Sequence, residues 1–229
     1  MSGKFIVFEG VDNSGKTTVA TKVTEVLKSR GIDSVFTRHP GSTGIGQEIR
    51  QILKHHPDPI NANAQALLFA ADNSLFMNQI LKPNLDKGNW VIGDRNNFVS
   101  SMAYQIASGC DWDELDAVHA ATKQTAKIDL LLVFQCTWEE SRRRKALAMD
   151  EAPDRYEDAG REFFDKLAGC YNEILSNQQD RLKKFVKMER CSSGQDRYLT
   201  RVNARYIDAT QSVDSVVAAV LDAIEPLLQ

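Results

Sequence analysis

Several kinds of residue are scarce in this chain, and each shortage removes a class of protein. Cysteine occurs four times in 229 residues, at Cys110, Cys136, Cys170 and Cys191. The four are far apart and none forms a C-x-x-C pair, so neither a zinc ribbon nor a dithiol redox centre is expected. Reduced thiols in a cytoplasmic protein are the simplest reading. Long apolar runs are missing too. The first, Phe5 to Phe8, and the longest later one, Leu130 to Phe134, are far short of a membrane span. Neither a signal peptide nor a membrane anchor is expected from them. Positive charge is not in excess: the net charge is -3, which offers no general attraction to nucleic acid. No N-K-x-D tetrapeptide is present to read guanine, and no transporter signature sequence occurs.

What remains is an ordinary globular composition, 42% hydrophobic and 26% charged. A chain of this length buries about 70% or more of its unfolded surface and needs no disulfide or metal staple.

The apolar pattern alternates between two periods. Phe5-Ile6-Val7-Phe8 is continuous, as in a strand covered on both faces. Val19, Val23, Val26 and Leu27 then mark one stripe of a helix, ended by Gly31. Ser34 to Arg38 reads as the next strand, completing a βαβ unit. Ile45, Ile49, Ile52 and Leu53 mark a second helical stripe, ended by Pro57. A long helical segment is expected over 62–85, then a buried strand over 90–94, a helix over 113–123 and the most apolar strand over 129–135. Helices follow from about Trp138 and Arg161. The last pair is a strand over 205–208 and a helix carrying Val213 to Ile224, with Ser212 as N-cap. The alternation predicts a three-layer α/β fold: a five-stranded, mostly parallel sheet with helices on both faces. No domain boundary shows, so 1–229 reads as one domain.

Between the first strand and helix stands Gly10-Val11-Asp12-Asn13-Ser14-Gly15-Lys16-Thr17-Thr18. This is a full match to G-x-x-x-x-G-K-S/T, the loop whose amides cradle phosphate oxygens. Lys16 is expected on the β- and γ-phosphates of a nucleoside triphosphate and the Thr17 hydroxyl on Mg²⁺. Gly10, Asn13, Ser14, Gly15 and Thr18 complete the donor site. The loop alone does not fix the reaction. A kinase needs a second basic pocket for its acceptor. Arg38 and Asp94-Arg95 end two strands, and ligands of open α/β sheets bind beyond the carboxyl ends of the strands. Arg50 lies on the following helix.

These residues carry a resemblance that runs almost end to end. "FEGVDNSGKTT" resembles F-E-G-x-D-G-x-G-K-S/T-T, and "TRHPGSTGIGQEIR" resembles T-R-E-P-G-G-T-x-x-G-x-x-I-R. "LLFAADN" is similar to L-L-F-A-A-D-R, and "VIGDRNNFVSSMAYQ" to V-x-x-D-R-Y-x-x-S-x-x-A-Y-Q. "DRYE" and "YIDATQSVDSV" resemble the D-R-x-E after a lid and the closing I-D-A-x-x-S-x-x-x-V. Together, in this order, they resemble the thymidylate kinases. The resemblance implies a P-loop kinase fold with a small lid, transfer of the γ-phosphate of ATP to dTMP, and a homodimer acting on small nucleotides. Carried over by position, Phe69 stacks on the base, and Arg95 and Arg50 hold the acceptor phosphate with Arg38 in support. Asp12 lies near the sugar 3'-hydroxyl, Tyr104 crowds the 2' position, and Ser101 and Gln105 lie near the base. Asp94 joins Thr17 on the metal side.

The lid is expected at about 142–157, in "SRRRKALAMDEAPDRYE". With no arginine in the phosphate loop, Arg143 or Arg144 is the candidate to meet the transferring phosphoryl group. His55, His56 and His119 are assigned to surface or capping positions.

Three departures fall on the acceptor side: His39 for glutamate, Asn73 for the arginine that reads the base, and Asn96 for tyrosine. A stretch at about 178–203 reads as an insertion. Altered or relaxed base choice, such as a 5-substituted dUMP, therefore stands as an alternative, as does a non-catalytic nucleotide-binding module. A deoxynucleoside kinase fits less well, because Glu-Arg-Ser is replaced by Asp94-Arg95-Asn96.

Overall fold

The computed structural model describes residues 3–121, 127–147, 154–176 and 203–228. Five strands form one sheet in the order β2-β3-β1-β4-β5. They are β1 (Phe5–Gly10), β2 (Ser34–Arg38), β3 (Trp90–Asp94), β4 (Leu130–Gln135) and β5 (Ala204–Asp208). Every pairing is parallel, so the expected mostly parallel sheet is wholly parallel.

The continuous apolar runs have a direct physical outcome, because alternate side chains leave a strand on opposite faces. Phe5 and Val7 of β1 join Val91, Leu131 and Val133 on one face, with Met102, Ala103 and Leu167 from the helices. Ile6 and Phe8 join Trp90, Ile92, Leu130, Leu132 and Phe134 on the other, with Val19, Val23, Leu27, Val216 and Val220. The second face is covered by α1 (Lys16–Ser29) and α9 (Val213–Ile224); the first by α3 (Ala62–Phe76), α5 (Asn97–Ala107) and α8 (Gly160–Ser176). The remaining helices are α2 (Gly44–His55), α4 (Lys82–Asp86), α6 (Trp112–Ala121) and α7 (Trp138–Leu147). Ser212 caps α9 by accepting the Ser215 amide, as expected.

Three expectations change. The helical segment over 62–85 is not one α-helix: a π-turn, Met77–Leu81, separates α3 from α4. Pro83 sits at the start of α4, and its missing N–H interrupts the regular ladder there. The apolar stripe of α2 is only half buried. Ile49 and Leu53 pack on Phe69, whereas Ile45 and Ile52 are 56% and 39% exposed. The helix rests on α3 along a line narrower than its stripe. His119 is buried on α6, not on the surface, and burial pushes its pKa down to about 4. His55 and His56 are exposed, as expected. The expected helix end at 122–123, the middle of the lid at 148–153 and nearly all of 178–203 lie outside the described residues.

Candidate active site

All five strands end on one side of the sheet, at Gly10, Arg38, Asp94, Gln135 and Asp208. A cleft of about 850 Å³ opens there.

The donor end is built by the loop from β1 to α1. Gly10 has φ 131°, and a Cβ there would lie 2.4 Å from the Phe134 carbonyl oxygen, so only glycine fits. Gly15, at φ 90°, precedes the first turn of α1 and releases that turn's amides toward the cleft. Asn13 is also left-handed, at φ 58°, a conformation asparagine tolerates. Lys16 folds back into the loop, donating to the Val11 carbonyl (2.6 Å) and the Ser14 hydroxyl (3.1 Å). Burial and the nearby Arg95 cation lower its pKa to about 8, against the pull of Asp12, Asp94 and Glu9.

Thr17, one residue on, donates its hydroxyl to Asp94 Oδ2 at 2.5 Å. Arg38 Nε stands 3.8 Å from the same oxygen, since Arg38 and Asp94 are register partners. These two hard oxygens, from Thr17 and Asp94, are the donor type Mg²⁺ takes, with phosphate oxygens and water completing its shell.

The other end of the cleft centres on Arg95. Its backbone is left-handed, at φ 73°, a strained conformation for a long side chain. Its guanidinium donates to Asp12 Oδ1 (2.6 Å), the Gly10 carbonyl (3.0 Å) and the Tyr171 hydroxyl (3.2 Å), and lies 5.0 Å over the Tyr104 ring. Tyr104 donates to the other Asp12 oxygen at 2.7 Å. Burial alone would raise the Asp12 pKa. The Arg95, Lys16 and Lys54 cations and the Tyr104 hydrogen bond outweigh it and hold Asp12 at about 2. Beneath Arg95, Glu9 accepts the Asn96 amide (2.8 Å) and the Ser100 and Tyr171 hydroxyls (2.9 and 2.8 Å). Its burial raises its own pKa in spite of Arg95 at 3.7 Å.

Farther along the rim, Arg50 donates to the Pro40 carbonyl at 3.1 Å, and Phe69 packs on Ile49 and Leu53 with one face on the cleft. His39 is buried against Phe76, edge to face at 4.0 Å, with Nδ1 3.7 Å from Asp72.

From the opposite side, α7 sends its cations over the donor loop. Successive residues of a helix turn by about 100°, and the arginine row divides accordingly. Arg142 stacks on Trp138 away from the cleft, at 5.3 Å. Arg143 is 60% exposed and makes a bidentate pair with Glu140, both contacts 2.7 Å. Arg144 is 24% exposed and clamps three partners: Glu140 (2.6 Å), the Ser14 carbonyl (3.0 Å) and the Ala209 carbonyl (2.5 Å). Hydrogen bonds from Arg143 and Arg144 pull the Glu140 pKa down to about 2.

A model of the family described as thymidylate kinase matches residues 8–190. The chain belongs to the thymidylate kinase family. It is 38% identical to the thymidylate kinase of Prochlorococcus marinus (strain NATL2A) over 180 residues, 73% of this chain and 82% of the relative. It is 34% identical to that of Alkalilimnicola ehrlichii over 184 residues, 80% of this chain and 84% of the relative. With the thymidylate kinase of Cupriavidus metallidurans the identity is 32% over 228 residues, 99% of this chain and all of the relative.

As a thymidylate kinase family member, the chain gathers most of its sequence-expected site residues in one place. Asp12, Asn13, Ser14, Gly15, Lys16, Thr17, Thr18, Arg38, Arg50, Phe69, Asp94, Arg95, Tyr104, Arg143 and Arg144 all line the cleft. Asn73, Ser101 and Gln105 are buried and do not line it. Asn73 follows Phe69 by one turn of α3, and Ser101 and Gln105 flank Tyr104 on α5. The Asn73 carboxamide and the Ser101 hydroxyl have no hydrogen-bond partner among the described residues. Sequence reasoning gave no role to the loop from Ala209 to Ser212, which walls the donor end, nor to Lys54, Tyr156 and Glu157. The motif "YIDATQSVDSV" held the signal for the loop and "DRYE" that for Tyr156 and Glu157; nothing local marked Lys54.

Proposed function

We propose that this protein transfers the γ-phosphate of ATP to dTMP, giving ADP and dTDP. The observation that carries the reading is the placement of two anion sites on one rim: the phosphate loop with Lys16 at one end, and Arg38, Arg50 and Arg95 beside Phe69 at the other. An oxygen of the acceptor phosphate attacks the γ-phosphorus, and the bond to the β-bridging oxygen breaks. With a second pKa of about 6, that oxygen is already largely anionic at neutral pH, so no strong base is needed. Alignment and charge neutralisation do the work. Lys16 binds the donor phosphates, Arg95 and Arg50 the acceptor phosphate, and Arg144, held against the donor loop by the Ser14 carbonyl, meets the transferring group. Asp12 holds the Arg95 fork in place. Phe69 offers the stacking surface and Tyr104 the wall beside the sugar; the buried Asn73, Ser101 and Gln105 form the layer behind them.

Thr17 and Asp94 would hold Mg²⁺, which supplies charge neutralisation between the β- and γ-phosphates. Action as a homodimer in the cytoplasm belongs to the same reading. Exposed Ile45, Ile52 and Leu67 on α2 and α3 favour self-association, and the thiols of Cys110, Cys136 and Cys170, which form no disulfide, suit a reducing compartment. Among the described residues, no helix is long and apolar enough to cross a membrane.

The test is ADP release from ATP and Mg²⁺ against dTMP, dUMP, dCMP, dGMP and UMP. Preference for dTMP is expected. Binding of ATP without turnover of any of the five would overturn the reading.

A further inference from the structure

The donor loop is tied to the far side of the cleft by a chain of polar contacts that starts at Asn13. Its Nδ2 donates to Glu157 Oε1 at 3.2 Å, across 144 positions of sequence. The other Glu157 oxygen accepts Lys145 Nζ at 2.6 Å and the Asp154 amide at 3.3 Å. Asp154, itself buried, accepts the Tyr156 and Glu157 amides on Oδ1 (2.9 and 3.1 Å) and pairs with Lys54 through Oδ2. Lys54 belongs to α2, the helix that carries Arg50. Asn13 thus joins the phosphate loop to α7 through Lys145 and to α2 through Asp154 and Lys54.

Two features single out Asn13 as more than a passing contact. First, the backbone there is left-handed, at φ 58°, where glycine would be the least strained residue. The chain accepts asparagine instead, and its side chain hydrogen-bonds Glu157. Second, Glu157 is largely buried (its side chain is 12% exposed), so solvent screens these contacts little.

Taking the kinase reading above as given, we infer that Asn13 and Glu157 are positioning residues that set the distance and angle between the donor loop and the acceptor-side helix α2. Neither touches a reacting atom in this role. Glu157 acts through Asn13 on the loop, and through Asp154 and Lys54 on the helix bearing Arg50. Since the two substrates must meet in line, the pair acts on turnover more than on the binding of either nucleotide.

The test is a double-mutant cycle of Asn13→Gly and Glu157→Ala, with Glu157→Gln as the conservative variant. Asn13→Gly suits the left-handed backbone and removes only the contact. Each single change is expected to lower kcat by about tenfold, the size of one hydrogen bond to a charged group, with KM for ATP changing less than kcat. The double variant is expected to fall no more than about twofold below the weaker single one, because both remove the same link. Glu157→Gln keeps a single acceptor oxygen, which serves either Asn13 or the Lys145 and Asp154 donors but not both, so it is expected to recover only part of the loss seen in Glu157→Ala. Losses that multiply to about a hundredfold, or wild-type kcat in Asn13→Gly, overturn the inference. If Glu157→Ala does not fold, Asn13→Gly alone decides: a kcat about tenfold lower supports the link, and wild-type kcat overturns it. Amide hydrogen exchange of residues 154–160 gives a readout without turnover. It is expected to speed up about tenfold in Asn13→Gly, and unchanged exchange there overturns the link even if the wild-type chain proves inactive on dTMP.

Discussion

Thr17 and Asp94 meet at 2.5 Å, hydroxyl to carboxylate, and so join the first turn of α1 to the last residue of β3. The contact crosses from β1's own loop to the neighbouring strand, and it puts the two hard oxygens of the site side by side. Replacing Asp94 by Asn keeps the shape and removes the charge. The Mg²⁺ concentration for half-maximal rate is expected to rise by about tenfold or more, and kcat to fall by about a hundredfold. A magnesium titration of the variant checks this; an unchanged half-point removes Asp94 from the metal side.

The two candidate arginines of α7 are separated by their surroundings. Arg144 is clamped to the donor loop by the Ser14 carbonyl, whereas Arg143 is mostly in solvent with Glu140. Arg144→Ala is expected to lower kcat by about a hundredfold or more, as loss of a transition-state donor does. Arg143→Ala is expected to cost less than about fivefold, as exposed pairs usually do. Single-turnover measurement on both variants distinguishes them, and equal effects would refute the division.

Lys16 links nucleotide binding to pH. Its folded pKa is about 8, below the 10.5 of a free lysine. The free protein therefore carries Lys16 charged below pH 8 and neutral above it. A bound triphosphate favours the charged form, so binding above pH 8 takes up a proton. The affinity for ATP is expected to fall as pH rises from 8 to 10, by up to about tenfold per unit. For stability the sign is opposite. Between pH 8 and 10.5 the unfolded chain binds the proton that the folded chain lacks, so this group makes the free protein more stable as pH rises through that window. Calorimetry in two buffers of different ionisation enthalpy, at pH 8.5, would reveal the proton uptake; its absence would return Lys16 to an ordinary pKa.

Gly10 is fixed by space and by φ together. A methyl group there meets the Phe134 carbonyl oxygen, a backbone atom that cannot swing away. Gly10→Ala is expected to destabilise the protein by about 3 kcal/mol, seen as a lower urea midpoint. Gly31→Ala meets no atom within 4 Å and serves as the control, strained only by its φ of 78°.

The fold was readable in the sequence because the three central strands, β1, β3 and β4, are short apolar runs buried on both sides, and the alternation with helices marked the partly exposed edge strands β2 and β5. The donor loop was readable because its residues are contiguous. The acceptor rim could be anticipated from topology alone: Arg38 and Arg95 stand at strand ends, and parallel strands bring those ends together. Other features required the third dimension. Ile45 and Ile52 fit the period of a buried stripe, yet α2 meets α3 along a narrower line. His119 is polar in a helix that turns it inward. The choice between Arg143 and Arg144 depends on which one faces Ser14 and Ala209. The link from Asn13 to Glu157 joins two segments that share no local pattern.

One consequence of the parallel sheet reaches beyond chemistry. Every ligand-facing group on the strands sits at or just past a strand's last residue, and the two apolar layers lie behind them. Changes within the layers and changes along the rim can thus be selected nearly independently. Drift in Ile6, Leu132 or Val220 alters how long the molecule survives in a cell, while, on the function proposed above, drift at Arg38, Phe69 or Arg95 alters what it can use. A lineage could re-aim this scaffold toward a new acceptor without rebuilding what keeps it folded.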